Sequence, residues 1–463
     1  MADAAVRTHL ELGDIQALVL RGHKELHWAS YLFFRVADAA GARTTLRALV
    51  DERAITTAAA VILPKHGRPR ARVQLALSHA GLTRLGLDEA SRKSFAPEFQ
   101  SGMAEPARSR RLGDRGASAP ETWELGGATH ALDVLVCLFA PTHHERDELA
   151  AQWIERLAPS LALELQQDAT PRRGDREHFG FRDGISQPIL RGDPTRDHIP
   201  EVDRIADGEF LFGYANEYGM LPAAPRTAGG VDLGRNGTYL VFRKLEQDVA
   251  GFWRYFHDAA GGVGTEAERL AAKCMGRWPS GAPLSLSPER DDPRLGADDA
   301  HNNHFMFLDD DPLGDRCPVA AHIRRANPRD AKSGDREDSI VMVRRRRIIR
   351  RGRPYGPPSA HPRPLDGDGA RRGLYFIALN TNLGRQFEFV QQTWLNNPKF
   401  AGLSNDRDPV VAQDAERGAV SLPGSPFRRR LAGLPSFITV RGGEYFFLPG
   451  LKALVRLLDA CAS

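Results

Sequence analysis

Residues 31–52, YLFFRVADAAGARTTLRALVDE, decide the reading of the fold. The first seven are a strand-like apolar run, and the remainder returns apolar residues at three- to four-residue spacing, as an amphipathic helix does. The same strand-then-helix unit recurs at 236–260, NGTYLVFRKLEQDVAGFWRYFHDAA, and at 373–396, GLYFIALNTNLGRQFEFVQQTWLN. Between the first two lie ARVQLALSHAGLTRLGL (71–87), a strand and short helix, and HALDVLVCLFAP (130–141), which alternates and stops at Pro141. Residues 145–166, ERDELAAQWIERLAPSLALELQ, read as helical, kinked or split by Pro159. No short-period repeat is present, so the pattern predicts an α+β protein of two similar lobes, 1–200 and 201–463. The Gly-, Pro-, Asp- and Arg-rich stretch 171–235 reads as long ordered loops. The turn-rich segments 279–300 and 327–339 read as surface excursions.

The chain has 463 residues, and 63 basic against 59 acidic side chains leave a formal net charge of +4, which argues against a polyanionic partner. No apolar run approaches the roughly 20 residues of a membrane-spanning helix. The opening MADAAVRTHLELGDIQALVL lacks a basic segment followed by an apolar run and a small-residue cleavage site, so a cytoplasmic address is expected. Cys137, Cys274, Cys317 and Cys461 are far apart and read as reduced, structural thiols.

Three segments could carry chemistry. Gly180-Phe181-Arg182-Asp183-Gly184, continuing Ile185-Ser186-Gln187-Pro188, sets an acid between glycines that let backbone approach a flat ligand, although a single Asp-Gly is more often an ordinary turn. His322, in CPVAAHIRRANPR (317–329), has an imidazole that suits iron, zinc or copper and by itself names none. Arg344 to Arg353, RRRRIIRRGR, reads as a charged strand edge or as a nucleic-acid patch, but lacks interleaved aromatics. His143-His144-Glu145 misses the i, i+4 spacing of a helical zinc site and reads as a helix start.

In this order, G-x-x-D-G, a histidine in an H-I-R segment and an arginine shortly before Pro354-Tyr355-Gly356 resemble the dye-decolourising peroxidases. The likeness extends over nearly the whole chain, through DIQALVLRGH, SFAPEFQSGM, GEFLFGYANEYG, LGRNGTYLVFRKLEQDV and QFEFVQQTW. It implies two ferredoxin-like lobes with antiparallel sheets, of the dimeric α+β barrel type. It also implies one haem b per chain in the C-terminal lobe, with the distal loop supplied by 171–190. Carried over by motif, Asp183 is the distal acid and base, Arg350 the distal arginine and His322 the iron ligand. Arg347 and Arg351 are the alternatives to Arg350 if the register differs. Gly184, Ile185, Ser186 and Gln187 then border the haem, and Glu388 is the acceptor of the proximal hydrogen bond. The implied reactants are hydrogen peroxide and a bulky phenolic or dye-like electron donor, with no nucleic acid or membrane and with a homo-oligomer left open.

The chemistry fits the residue types. Breaking peroxide heterolytically needs a base that moves a proton from the inner to the outer oxygen. With a reference pKa near ~3.9 against ~6.5 for histidine, an aspartate keeps that ability in acid, so an acidic optimum is expected. An arginine stabilises charge on the departing oxygen. Trp253, Tyr355 and Trp394 could relay electrons, but large buried aromatics ordinarily serve packing. A haem carrier or sensor would need His322 without Asp183 and Arg350, and a haem-processing protein that uses no peroxide is the other alternative.

Overall fold

The computed structural model describes residues 9–64, 67, 70–127, 130, 132–171, 173–196, 203–412, 418–424 and 427–462. Alternation along the first strand, β1 (Trp28–Val36), gives its two faces different partners. Tyr31 and Phe33 point into one apolar cluster, whereas Leu32, Phe34 and Val36 point into another beneath the helices. In the main sheet, apart from the two-residue Leu125–Gly126, the other strands of the N-terminal half are β2 (Arg72–Ser78), β3 (Val134–Ala140) and β4 (Leu161–Ala169). Those of the C-terminal half are β5 (Thr238–Gln247), β6 (Ile349–Arg350), β7 (Arg353–Tyr355), β8 (Gly373–Asn380) and β9 (Ile438–Leu448). In space the order is β7-β8-β5-β9-β2-β3-β1-β4, antiparallel at each step, with β6 also on β8. Each half thus has the ferredoxin-like order, and the two join where β9 meets β2 through Phe446↔Ser78 and Phe447↔Leu77.

The far edges also approach one another. The Thr170 N–H donates to the Pro354 carbonyl at 2.9 Å, and the Tyr375 hydroxyl donates to Gln167 Oε1 at 3.1 Å, curling the sheet toward a barrel. Its interior is aromatic: Phe33 lies 5.1 Å from Phe242 and 6.1 Å from Phe446, and Tyr31 lies 5.2 Å from Phe242 and 5.4 Å from Tyr375, centroid to centroid. Outside, α1 (Ala39–Asp51), α2 (His79–Leu85) and α3 (His143–Leu157) cover the N-terminal half. Asp38 caps α1 by accepting from the N–H groups of Ala40 and Gly41, at 3.0 and 3.1 Å. Over the C-terminal half lie α4 (Val249–Ala259), α5 (Gly264–Met275) and a long irregular excursion containing α6 (His322–Ala326) and α7 (Arg336–Arg344). The halves interlock: the last helix, α8 (Leu451–Ala460), buries Leu454, Leu457 and Leu458 in the cluster that holds Leu46 and Leu49 of α1.

Some sequence expectations need correction. Leu161–Ala169 is a strand, not the end of a helix: helix α3 stops at Leu157, before Pro159, and Leu161, Leu163 and Leu165 repeat at the period of a strand. Residues 279–300 are no loose excursion, because Ala282, Leu284 and Ser285 are wholly buried and the segment walls the site. Segment 327–339 likewise begins in a cavity wall, at Asn327 and Arg329, and ends in α7. The helix expected over QFEFVQQTW is π-helical at Gly384–Glu388 and Val390–Leu395.

Replacing the fully buried Phe33 by alanine opens a cavity in the shared aromatic interior. Phe33→Ala should cost about 3–5 kcal/mol, measured by urea denaturation; a loss below about 1 kcal/mol would show that this interior does not unify the halves.

Candidate active site

The chain leaves β4 and runs into a loop whose shape is set by one half-buried carboxylate. Glu177 accepts hydrogen bonds from the N–H groups of Phe179 and Phe181 at 2.7 and 2.9 Å and from the Gln247 side chain at 2.6 Å. Burial pushes its carboxyl up to about 7, opposed by those hydrogen bonds. The Asp183 N–H donates to the Asp175 carbonyl at 2.8 Å and the Arg182 N–H to the Pro279 carbonyl at 3.1 Å, so the loop is fastened on both sides of its acid. Gly184 adopts φ +79°, which a side chain resists, and turns its N–H onto Asp183 Oδ1 at 2.6 Å.

Arg350, on β6, completes this cluster. Its Nη1 donates to Asp183 Oδ1 at 3.2 Å, its Nη2 to the Ile185 carbonyl at 2.8 Å, and its backbone N–H to Gln187 Oε1 at 3.0 Å. Of the three arginines weighed from sequence, Arg350 alone meets Asp183. Arg347 donates to the Ser186 carbonyl at 3.1 Å, and Arg351 turns away to the carbonyls of Leu18 and Val19. Asp183 and Arg350 are 39% and 33% exposed, open enough for a small reactant to enter.

They line a slot of about 270 Å³ whose walls include Phe305, Phe307, Leu374, Phe376, Phe387 and Val440. His322, at the start of α6, lines it too, and both Asp183 and Arg350 act on the imidazole's charge. The His322 Nδ1–H donates to Asp408 Oδ2 at 2.9 Å, which leaves Nε2 as the nitrogen free to hold a metal. Asp408 is fully buried, and its other oxygen accepts from the N–H groups of Val410 and Val411, both at 2.9 Å. Burial opposes charge on the imidazole, yet the Asp408 carboxylate outweighs it and raises the His322 pKa. Asp408 itself is held below the usual carboxylate range: burial works against that, and His322 with the backbone N–H groups overcomes it.

The proximal acceptor is therefore Asp408 and not Glu388. The Glu388 carboxylate is taken up by Arg108 Nη1, 2.8 Å from each oxygen, and by the Tyr445 hydroxyl at 2.7 Å, behind the slot wall. Ile185 and Ser186 line the slot, whereas Gly184 and Gln187 face an outer cleft of about 940 Å³ that shares Asp183 and Arg350 with it. Sequence reasoning missed Asp408, which stands 86 positions from its partner with no local motif. It also missed Glu177, although that residue opens the EHFGFRDG run.

The arginine-rich run is spent inside the protein. Arg344 binds Glu217, Arg353 binds the carbonyls of Gly22 and His23, and Arg346 stacks 4.2 Å over Phe389, so these side chains are engaged by the protein itself. Around the slot, Arg277, Arg329 and Arg347 bond only to carbonyl or amide oxygens among the described residues. Burial, then the Arg329 charge, draws Arg277 down to about 9; burial draws Arg347 to about 10 against the opposing charge of Asp203. Nε and Nη1 of Arg346 and Oδ1 of Asn327, also in the wall, are buried without partners. Guanidinium groups bonded only to neutral oxygens, orphaned polar atoms, an apolar slot and a carboxylate-paired histidine together fit a flat metalloporphyrin with acidic substituents.

Comparison with known proteins gives the same direction. Residues 14–172 match the family model described as the DyP dimeric alpha+beta barrel domain. The chain is 33% identical to Peroxidase 2 of Mycetinis scorodonius, over 98% of this chain and 89% of that protein. It is 30% identical to a multifunctional dye peroxidase of an Amycolatopsis species, over 96% and 95% of the two chains. A solved dye-decolorizing peroxidase in complex with 2,6-dimethoxyphenol superposes with a TM-score of 0.81 at 30% identity, covering 97% of this chain and 99% of that one.

Asp408→Asn keeps the shape of the proximal hydrogen bond but removes its charge. The midpoint potential of the bound iron should then rise in spectroelectrochemical titration, because a less basic imidazole stabilises the oxidised metal less. An unchanged potential would mean that the carboxylate does not act through His322.

Proposed function

The chain belongs to the dye-decolourising peroxidase family and is a haem-dependent peroxidase that oxidises dye or phenolic donors, and from this we propose that Asp183 and Arg350 work on peroxide opposite His322, around one haem b per chain. When bound, the haem supplies the metal at which peroxide is cleaved and holds the oxidising equivalents that donors consume. The single observation that supports the assignment is the pairing of Asp183 with Arg350 in the slot that His322 also lines.

In this reading the Asp183 carboxylate takes the proton from the inner oxygen of hydrogen peroxide and delivers it to the outer one, which departs as water. Arg350 stabilises the negative charge on that departing oxygen and, through the Ile185 carbonyl, keeps the loop from carrying Asp183 away. Glu177 fixes the loop from the other end. His322 would hold the haem iron through Nε2, and Asp408 makes its imidazole a stronger donor. Arg277, Arg329 and Arg347, whose hydrogen bonds end on neutral oxygens among the described residues, would answer the propionates. The outer cleft of about 940 Å³ gives an organic donor room to approach from the Asp183 side, and the phenol-bound relative supports a donor of that kind. Four free, buried thiols support a reducing, cytoplasmic setting.

Asp183→Asn should keep haem but slow reaction with peroxide by about 10²–10⁴-fold in stopped-flow absorbance. Arg350→Leu should slow it by about 10²–10³-fold. Normal kinetics in either variant removes that residue from the chemistry. His322→Ala should alter the iron's ligation in the absorption spectrum, and an unaltered spectrum would place the ligand elsewhere. Turnover by the unmodified protein should persist well below pH ~6.5, where an imidazole base would already be protonated; collapse near that pH would point to a histidine base instead.

A further inference from the structure

The carboxylate that the sequence assigned to the iron ligand serves a tyrosine. Tyr445 is fully buried on β9, and its hydroxyl donates to Glu388 Oε1 at 2.7 Å. The bulge between Val440 and Gly442 keeps Val440 and Tyr445 on the same, outer face of the sheet. Val440 lines the slot, as does Arg243, whose strand partner Gly443 lies two residues before Tyr445. Phe387, another wall residue, has its ring centroid 6.3 Å from that of Tyr445. Tyr445 therefore stands directly behind the wall of the slot.

We propose that Tyr445 is a redox-active side chain that gives an electron to the peroxide-oxidised haem while its phenolic proton passes to Glu388, a role that rests on the peroxidase reading above. A buried phenol cannot give up an electron alone, because the cation left behind is strongly acidic and has no water to receive its proton. Here the receiver is in place. One electron leaves for the haem, the O–H bond breaks, and the proton crosses the 2.7 Å hydrogen bond to Glu388, leaving a neutral phenoxyl radical. An electron from an organic donor and the return of the same proton restore the phenol.

Arg108 holds the acceptor still with its two 2.8 Å contacts and is itself bonded to Ser101 Oγ at 2.9 Å. Burial, then Glu388, keeps the phenol's pKa well above its ordinary value, so no phenolate is on hand and the proton must move with the electron. Among the described residues no other tyrosine is arranged this way. The hydroxyls of Tyr31 and Tyr355 are buried without partners, and those of Tyr214, Tyr255 and Tyr375 end on amide or carbonyl oxygens, which are poor bases. Tyr239 accepts from the Ala96 N–H, and Tyr218 is exposed.

The test is freeze-quench electron paramagnetic resonance on the haem-loaded full chain, mixed with one equivalent of hydrogen peroxide and no donor. A tyrosyl radical is expected in the unmodified protein and in Tyr375→Phe, and its loss in Tyr445→Phe and Glu388→Gln. No radical in the unmodified protein, or an undiminished one in Tyr445→Phe or in Glu388→Gln, overturns the proposal. The Soret band recorded on the same samples shows independently whether peroxide has reacted and whether each variant still holds haem. A silent resonance spectrum beside a changed Soret band thus sinks the tyrosine and leaves the peroxidase reading standing.

Discussion

Two half-sheets share one aromatic interior, and neither could bury Phe33, Phe242 and Phe446 by itself. That constraint fixes where chemistry can be built. With the inner face committed to packing, the outer face of β5, β8 and β9 is free to form the floor of a slot through Leu245, Phe376 and Val440. The irregular chain at 276–345 supplies the opposite wall, and its lack of regular structure reflects the work of following a ligand's outline instead of a sheet's.

Charge is organised on the same plan. Burying a guanidinium is costly, and the pKa values of Arg277 and Arg347 fall accordingly. Their backbone contacts nevertheless tie distant segments together, as when Arg353 and Arg351 hold the carbonyls of residues 18–23. In one run of sequence, Arg347 and Arg350 shape the distal loop, while Arg351 and Arg353, one and three residues beyond Arg350, bind the halves to each other. A patch that looks uniform in one dimension divides its duties in three.

The legible part of the site was the part encoded locally. Asp183 lies in a glycine-bracketed motif, His322 in a short recognisable run, and Arg350 at a fixed distance from Pro354, so each could be named from its neighbours. The proximal carboxylate could not. Glu388 had an attractive setting and Asp408 an undistinguished one, and only the packing of the irregular 395–411 chain against α6 decides between them. The fold was legible where alternation or helical spacing ran for many residues, as in β1 and α1. It misled at 161–166, where leucines two apart satisfy a strand and, beside a preceding helix, also imitate its continuation.

The junction between β9 and β2 has a consequence for how the protein is made. Synthesis proceeds from the N-terminus, so β1 to β4 emerge first and β2 remains an unpaired edge until residues 438–448 have left the ribosome. Gln16 waits equally long for the Pro449 carbonyl that receives its side-chain amide. From the emergence of β2 to that of β9, a nascent chain of this protein carries an open, strand-hungry flank, and its fidelity of assembly depends on holding that flank apart from its neighbours on the same message.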